Sequence, residues 1–318
     1  MGKDLKNPLI VGSSGLTKNT DKLIKIQEYG AGAIVLKSMF EEQIMTDINA
    51  LQKQDDMYGW YPEALDFIND IAKEQGAESY LDLIFKAKKE LDIPVFASIN
   101  CVTPGDWIKF SKSMEEAGAD GIELNISIFP GDESISSLNI ESYYSEIVEK
   151  VLKEVNIPVS VKLGANFTNY FNIADRLDKA GVKSLVLFNR YFQPDININT
   201  LEIEKGNYTS STKEITNSLR WVALLSNKVN AEISATTGIH SYEGVVKQIL
   251  AGADSVQIVS ALYKNGIPYL RDIIADLDYW MERHNFNSIQ EFKGLLRDKK
   301  ENSAAFERMQ YIKRSIES

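Results

Sequence analysis

Four segments of this chain end in the same way. "EYGAGA", "EAGADG", "KAGVKS" and "LAGADS" each close an amphipathic stretch on a glycine (Gly30, Gly118, Gly181 and Gly252) and open a short apolar run two or three residues later. Glycine takes the left-handed conformation that stops a helix. Each segment is therefore a helix C-terminus feeding a strand. That restricts the chain to folds built from parallel βα units.

The runs that read as strands are Leu9–Gly12, Ala33–Lys37, Pro94–Ile99, Gly121–Asn125, Pro158–Leu163, Ser184–Asn189, Glu232–Ala235 and Ser255–Val259. Most are nearly continuous apolar stretches, as expected of strands buried on both faces. Helical patterns lie between them at Thr20–Tyr29, Asp106–Ala117, Ala174–Ala180 and Tyr242–Ala251. Eight such units fit a (β/α)8 barrel better than a doubly wound open sheet. The expected barrel spans residues 1–297. Residues 285–318 read as charged and helical, with 298–318 an extension beyond the barrel. Two long insertions, 38–76 and 190–211, follow strands and so should overhang the C-terminal mouth; "DININTLEIEKG" in the second alternates like a hairpin.

The cysteine and histidine counts limit the chemistry. Cys101 is the one cysteine, and His240 and His284 are the only histidines. An intrachain disulfide, a four-cysteine zinc site, an iron–sulfur cluster held by this chain and a histidine-rich metal site are all excluded. No metal is expected. Any difficult chemistry must come from an organic cofactor, or from carboxylates, lysines and hydroxyls. With 45 acids against 35 bases the net charge is −10, which argues against nucleic acid as a partner. The absence of a membrane-length apolar run and of a signal-peptide core makes a cytoplasmic location the expectation.

In a barrel, polar residues at the C-terminal ends of strands are the first functional candidates. Small hydroxyl- and glycine-bearing turns follow the last two strands, at Thr236-Thr237-Gly238 and Val259-Ser260. Turns of this kind opening helices suit a phosphate, although an ordinary capped loop would look alike. Lys37 and Lys162 each terminate an apolar strand. A lysine there can snorkel to solvent, or it can offset the negative charge that a flavin ring develops near N1 and O2 on reduction. Ser13, Ser14 and Ser127 are weaker candidates, since serine in a turn mostly bonds its own backbone. Cys101 reads as a small buried hydrophobe before a nucleophile. His240 reads as a capping or solvent-facing residue in the first turn of a helix, and His284 as structural.

In order along the chain stand "NPLIVGSSGLT", "GAGAIVLKS", "GADGIELNIS", "IPVSVKL", "LVLFN", "ATTGIHSYEGVVKQILAGADSVQIVSALYKNG" and "FNSIQEFKGLL". Over roughly residues 7–297 the chain thereby resembles the FMN-dependent dihydroorotate dehydrogenases, in the branch with soluble members. The resemblance implies an FMN-binding barrel and an oxidoreductase of CH–CH groups in pyrimidine metabolism. By matching motif, Ser14 and Gly15 would lie against the flavin. Lys37 and Ser38 would meet the flavin and the substrate edge, and Lys162 the N1/O2 side. Asn125 would contact flavin or substrate, and Asn189 the substrate. Thr237, Gly238, Val259 and Ser260 would hold the phosphate. The soluble members are often homodimers, and some relatives pair with an iron–sulfur flavoprotein.

The substrate half of the family pattern is rewritten. The family's E-L-N-x-S-C-P-N is here Glu123-Leu124-Asn125-Ile126-Ser127-Ile128-Phe129-Pro130, so the base cysteine falls at Ile128. The family's N-S-M-G-L-P-N is Asp55-Asp56-Met57-Tyr58-Gly59-Trp60-Tyr61-Pro62, the phosphate loop reads T-T-G instead of T-G-G, "GNYTS" from Gly206 stands where the family has a glycine-rich G-G-x-S-G, and Arg190 replaces a small Ser or Thr after Asn189. Oxidising dihydroorotate requires a base for one proton while hydride leaves the adjacent carbon. Ser127, Cys101 and Tyr58 are the candidates to replace it; Lys37 and Asn125 are the other catalytic candidates, and Tyr58 joins Asn125 and Asn189 as a substrate-binding candidate. The expectation is a flavin oxidoreductase acting on a small polar dihydro or unsaturated substrate. The alternatives are a true dihydroorotate dehydrogenase with a replaced base and a non-catalytic flavin- or phosphate-binding barrel.

Overall fold

The computed structural model describes residues 1–40, 77–101, 107–128, 131–191, 193–204 and 206–297. Tyr58, the rest of the 41–76 insertion and the 298–318 extension lie outside the described residues.

The barrel strands are β1 (Leu9–Val11), β2 (Ala33–Val35), β3 (Val95–Cys101), β4 (Gly121–Ile126), β5 (Val159–Leu163), β6 (Ser184–Leu187), β7 (Glu232–Thr236) and β8 (Ser255–Ile258). Each pairs in parallel with its neighbour in sequence, and β8 returns to β1. Ring closure between β2 and β3 is seen in the register Ile34↔Val95. The chain forms a (β/α)8 barrel; Met39–Phe40 adds a two-residue strand beside the end of β3.

The helices pack outside the ring: α1 (Thr20–Glu28), α2 (Ala77–Glu90), α3 (Trp107–Glu116), α4 (Ser137–Glu154), α5 (Tyr170–Ala180), α6 (Ile215–Leu225), α7 (Tyr242–Ala251), α8 (Ser260–Asn265), α9 (Tyr269–Arg283) and α10 (Ile289–Phe292). The four glycine stops behave as expected: Gly30, Gly118, Gly181 and Gly252 have φ of 102°, 98°, 103° and 115°. α5 begins earlier than the apolar periodicity suggests, because Asn169 caps it by accepting the Asn172 N–H at 3.1 Å.

Strand alternation divides each strand between two environments. Leu9, Val95, Ile122, Val161, Leu185, Ile233 and Val256 face the helices in one large apolar core. Ile10, Ala33, Val35, Phe96 and Val186 fill the barrel interior. There Phe96 lies over Gly121, where an added Cβ would come within 2.8 Å of its ring. The apolar reading of the strands is therefore half the picture: the inward positions nearer the mouth are polar, with Ser98, Glu123, Ser160, Lys162, Ser234 and Gln257 all buried.

The hairpin in the second insertion is present, Asp195–Asn197 pairing antiparallel with Glu202–Glu204. Its Ile196, Ile198, Leu201 and Ile203 are exposed. The segment after 285, expected as charged helix, is helical only at Ile289–Phe292 within the described residues. Burial explains the difference: Phe292 is fully buried, and Phe286 and Phe292 pack on Trp280. His284 caps α9 and stacks on the same indole, a structural role. Among the described residues no helix is long and apolar enough to cross a membrane.

Candidate active site

The register of β3, β4 and β5 places Asn100, Asn125 and Lys162 side by side at one level of the mouth. One level deeper, Glu123 pairs in register with Ser98 and Ser160. Lys162, Gln257, Asn189, Arg190 and Thr236 line a cleft over the barrel axis, together with Ser13 and the turns 237–239 and 259–260.

The cleft floor holds a charged network. Glu123 is fully buried. Its Oε2 accepts from Gln257 Nε2 at 2.5 Å, and its Oε1 lies 3.6 Å from Lys162 Nζ. The amide oxygen of Gln257 is buried and has no hydrogen-bond partner among the described residues. Sequence reasoning found Lys162 but missed Glu123 and Gln257. The one available signal was a charged or amide residue at an inward position inside each of two apolar strands.

Asn125 and Asn189 are brought together: Asn189 Nδ2 donates to Asn125 Oδ1 at 2.8 Å. Asn189 can reach across because its own N–H still bonds Leu163 O at 2.8 Å after β6 has ended.

Beside them runs a chain of hydroxyls. Ser13 Oγ accepts the Ser38 N–H at 2.8 Å, Ser13 and Ser38 hydroxyls are 3.1 Å apart, and Ser38 and Ser98 hydroxyls 2.7 Å. Behind Ser98, the Tyr80 hydroxyl accepts the Ser98 N–H at 2.9 Å and donates to Ser98 O at 3.1 Å. Burial drives the phenol's pKa far above its ordinary value, so Tyr80 stays neutral. Lys37 is half-buried just past β2. Ser14 does not line the cleft; its hydroxyl caps the short turn Gly15–Thr17 by accepting from Leu16. At Gly15 an added Cβ would meet the Tyr263 hydroxyl at 2.8 Å.

At the other end of the cleft, Thr237 and Gly238 both have positive φ, 73° and 79°. Thr237 Oγ1 donates to Phe188 O at 3.1 Å. At Gly238 an added Cβ would sit 2.2 Å from Ile215 N, so only glycine allows this turn to lie on the start of α6. Ser210 from the rewritten loop is bound on all sides. Its N–H donates to Ser260 Oγ at 2.9 Å, its hydroxyl accepts the Gly238 N–H at 3.3 Å, and Lys264 Nζ donates to its carbonyl at 2.8 Å. His240 precedes α7 instead of lying in its first turn, and its Nε2 is 3.1 Å from the Ser210 hydroxyl. Burial first, then Lys264, lowers the pKa of this imidazole. Arg190 anchors the same loop, to Glu214 at 2.8 Å, Asn207 O at 2.8 Å and Gln193 Oε1 at 3.2 Å. Burial opposes ionisation of Glu214, but Arg190 and the Ser211 amide outweigh it and hold its carboxyl below the usual range.

Around Ile128, the position of the base in the resembled family, the described residues offer little. Ile128 is half-buried and packs against the core. Ser127 beside it is half-buried. Cys101 ends β3 opposite Ile126; its side chain, like Tyr58, is outside the described residues.

The family model described as dihydroorotate dehydrogenase matches residues 1–281. A protein of Thermoplasma acidophilum named dihydroorotate dehydrogenase B (NAD(+)), catalytic subunit, is 26% identical over 314 residues, covering 92% of this chain and 96% of that protein. Proteins of the same name from Thermoplasma volcanium and Methanocaldococcus jannaschii are each 28% identical, over 309 and 305 residues, and again cover 92% of this chain. Coverage of the two proteins is 96% and 95%.

Proposed function

The chain belongs to the dihydroorotate dehydrogenase family, and on that premise we propose that it is an FMN-dependent oxidoreductase of CH–CH groups. The observation that carries the reading is the make-up of one cleft. Lys162 and a Gln257 amide oxygen with no hydrogen-bond partner among the described residues stand at its floor, and the Gly238 and Ser260 turns at its far end. The lysine suits the electron-rich N1/O2 edge of a flavin, the free acceptor suits a ring N–H, and two turns that open helices suit a phosphate.

Bound FMN supplies a two-electron acceptor for hydride. The protein's part is to place the substrate. Asn125 and Asn189, locked to each other, present amide donors and acceptors to a planar polar molecule. Lys162 offsets negative charge on the ring. Ser38, held by Ser13 and Ser98, supports the loop that carries Lys37.

Purified chain mixed with FMN should acquire the visible absorbance and quenched fluorescence of a bound flavin. Protein that stays colourless under these conditions ends the proposal.

A second reading is favoured by the names of the relatives, which specify dihydroorotate as substrate and a catalytic subunit as the role. In it, this chain oxidises dihydroorotate with a base other than Ile128 and works beside a companion subunit that passes electrons to NAD⁺. Anaerobic addition of dihydroorotate to the flavin-loaded protein separates the two readings. Bleaching of the flavin supports the second; no bleaching, with reduction by another dihydro compound, supports the first.

A further inference from the structure

Lys162 faces two ways. It lines the cleft, yet its ammonium lies 3.6 Å from a carboxylate oxygen of Glu123, which is itself wholly buried. The register explains the distance. Lys162 sits opposite Asn125, whereas Glu123 sits opposite Ser160, one inward position deeper. The ammonium must reach down to the carboxylate or up to whatever fills the cleft. Glu123 cannot follow it upward, because Gln257 Nε2 holds its other oxygen at 2.5 Å. The oxygen facing Lys162 has no hydrogen-bond partner among the described residues. A carboxylate buried in this way is tolerable only if a positive charge stays close.

We propose that Glu123 is a positioning residue that sets the reduction potential of the bound flavin through Lys162. Gln257 keeps the carboxylate one inward layer below the level of Lys162. The inference rests on the flavin reading given above. An uncompensated lysine under the N1/O2 edge would favour the reduced, anionic flavin strongly. A lysine shared with a buried carboxylate favours it less. The pair therefore lowers the potential relative to the lysine alone, and the length of the Glu123–Gln257 clamp sets by how much. A role confined to filling the barrel would leave the potential unmoved.

Two variants test this in FMN-loaded protein, by redox titration against reference dyes and by titration with sulfite, whose adduct is favoured by positive charge at the same edge. Glu123→Gln removes the charge and keeps the shape; its amide can bond Gln257 after that amide turns over. The sulfite adduct should tighten roughly tenfold, and the two-electron potential should rise by about 30 mV, the equivalent of a tenfold change. Gln257→Met keeps the charge and removes the clamp. The carboxylate can then move onto Lys162, and both measures should shift in the opposite direction. Flavin-loaded Glu123→Gln with unchanged potential and sulfite affinity overturns the inference and leaves the cofactor assignment intact. Should Glu123→Gln fail to fold, Glu123→Asp decides: it keeps the charge but draws the carboxylate away from Lys162, so a raised potential supports the inference and an unchanged one overturns it. Wild-type chain that takes up no flavin overturns the functional reading, and this inference with it.

Discussion

Asn189, just past β6, donates its side-chain amide to Asn125, near the end of β4, across 2.8 Å, bridging the end of the strand between them. The strand between them, β5, ends in Lys162 and Leu163, and Asn125 stands beside Lys162 in the register. Neither asparagine can turn without releasing the other. On the proposed reading, the pair is a preformed surface for a planar polar substrate.

Asn189→Ala should uncouple this pair without disturbing the barrel. Losing one hydrogen bond of about 1–3 kcal/mol at a binding surface lowers kcat/KM roughly tenfold to a hundredfold. Steady-state kinetics with the best reducing substrate, beside an unchanged flavin content, checks it.

Tyr80→Phe tests the hydroxyl chain from behind. The phenol both accepts from and donates to the Ser98 backbone in a fully buried site. Its removal leaves a buried N–H and a carbonyl without partners, a loss of about 1–3 kcal/mol. Urea unfolding should show the midpoint falling with the slope unchanged.

Gly238→Ala should be more damaging than its size suggests. The residue has φ of 79°, and a Cβ would lie 2.2 Å from a backbone nitrogen of Ile215. The turn must shift, at a strain of the order of 1–3 kcal/mol. A lower Tm together with loss of FMN but not riboflavin binding is the expected signature.

Acid should weaken the fold near Ser210. The folded pKa of His240 lies below its ordinary 6.5. The unfolded chain therefore binds the proton more readily, and stability falls as the pH drops from 6.5 through the lowered value. His240→Gln, which retains a partner for Ser210, should flatten this part of the stability–pH curve measured by thermal unfolding.

The periodic part of the structure was legible in the amino acids alone. Glycine stops at Gly30, Gly118, Gly181 and Gly252 and short apolar runs between them determine parallel βα units, because helix termination and strand burial are local matters. Lys37, Lys162, Asn125 and Asn189 stood out for the same reason: each breaks an apolar run at its C-terminal end. What only the tertiary structure decided is which groups meet. Glu123, Gln257, Tyr80, Lys264 and Ser210 lie far apart in sequence, and a buried polar residue inside a strand looks, one strand at a time, like an outward-facing one. Ring closure and strand register turn those residues inward at matching heights. There, removal from water obliges each to find a partner, and the partners found define the site.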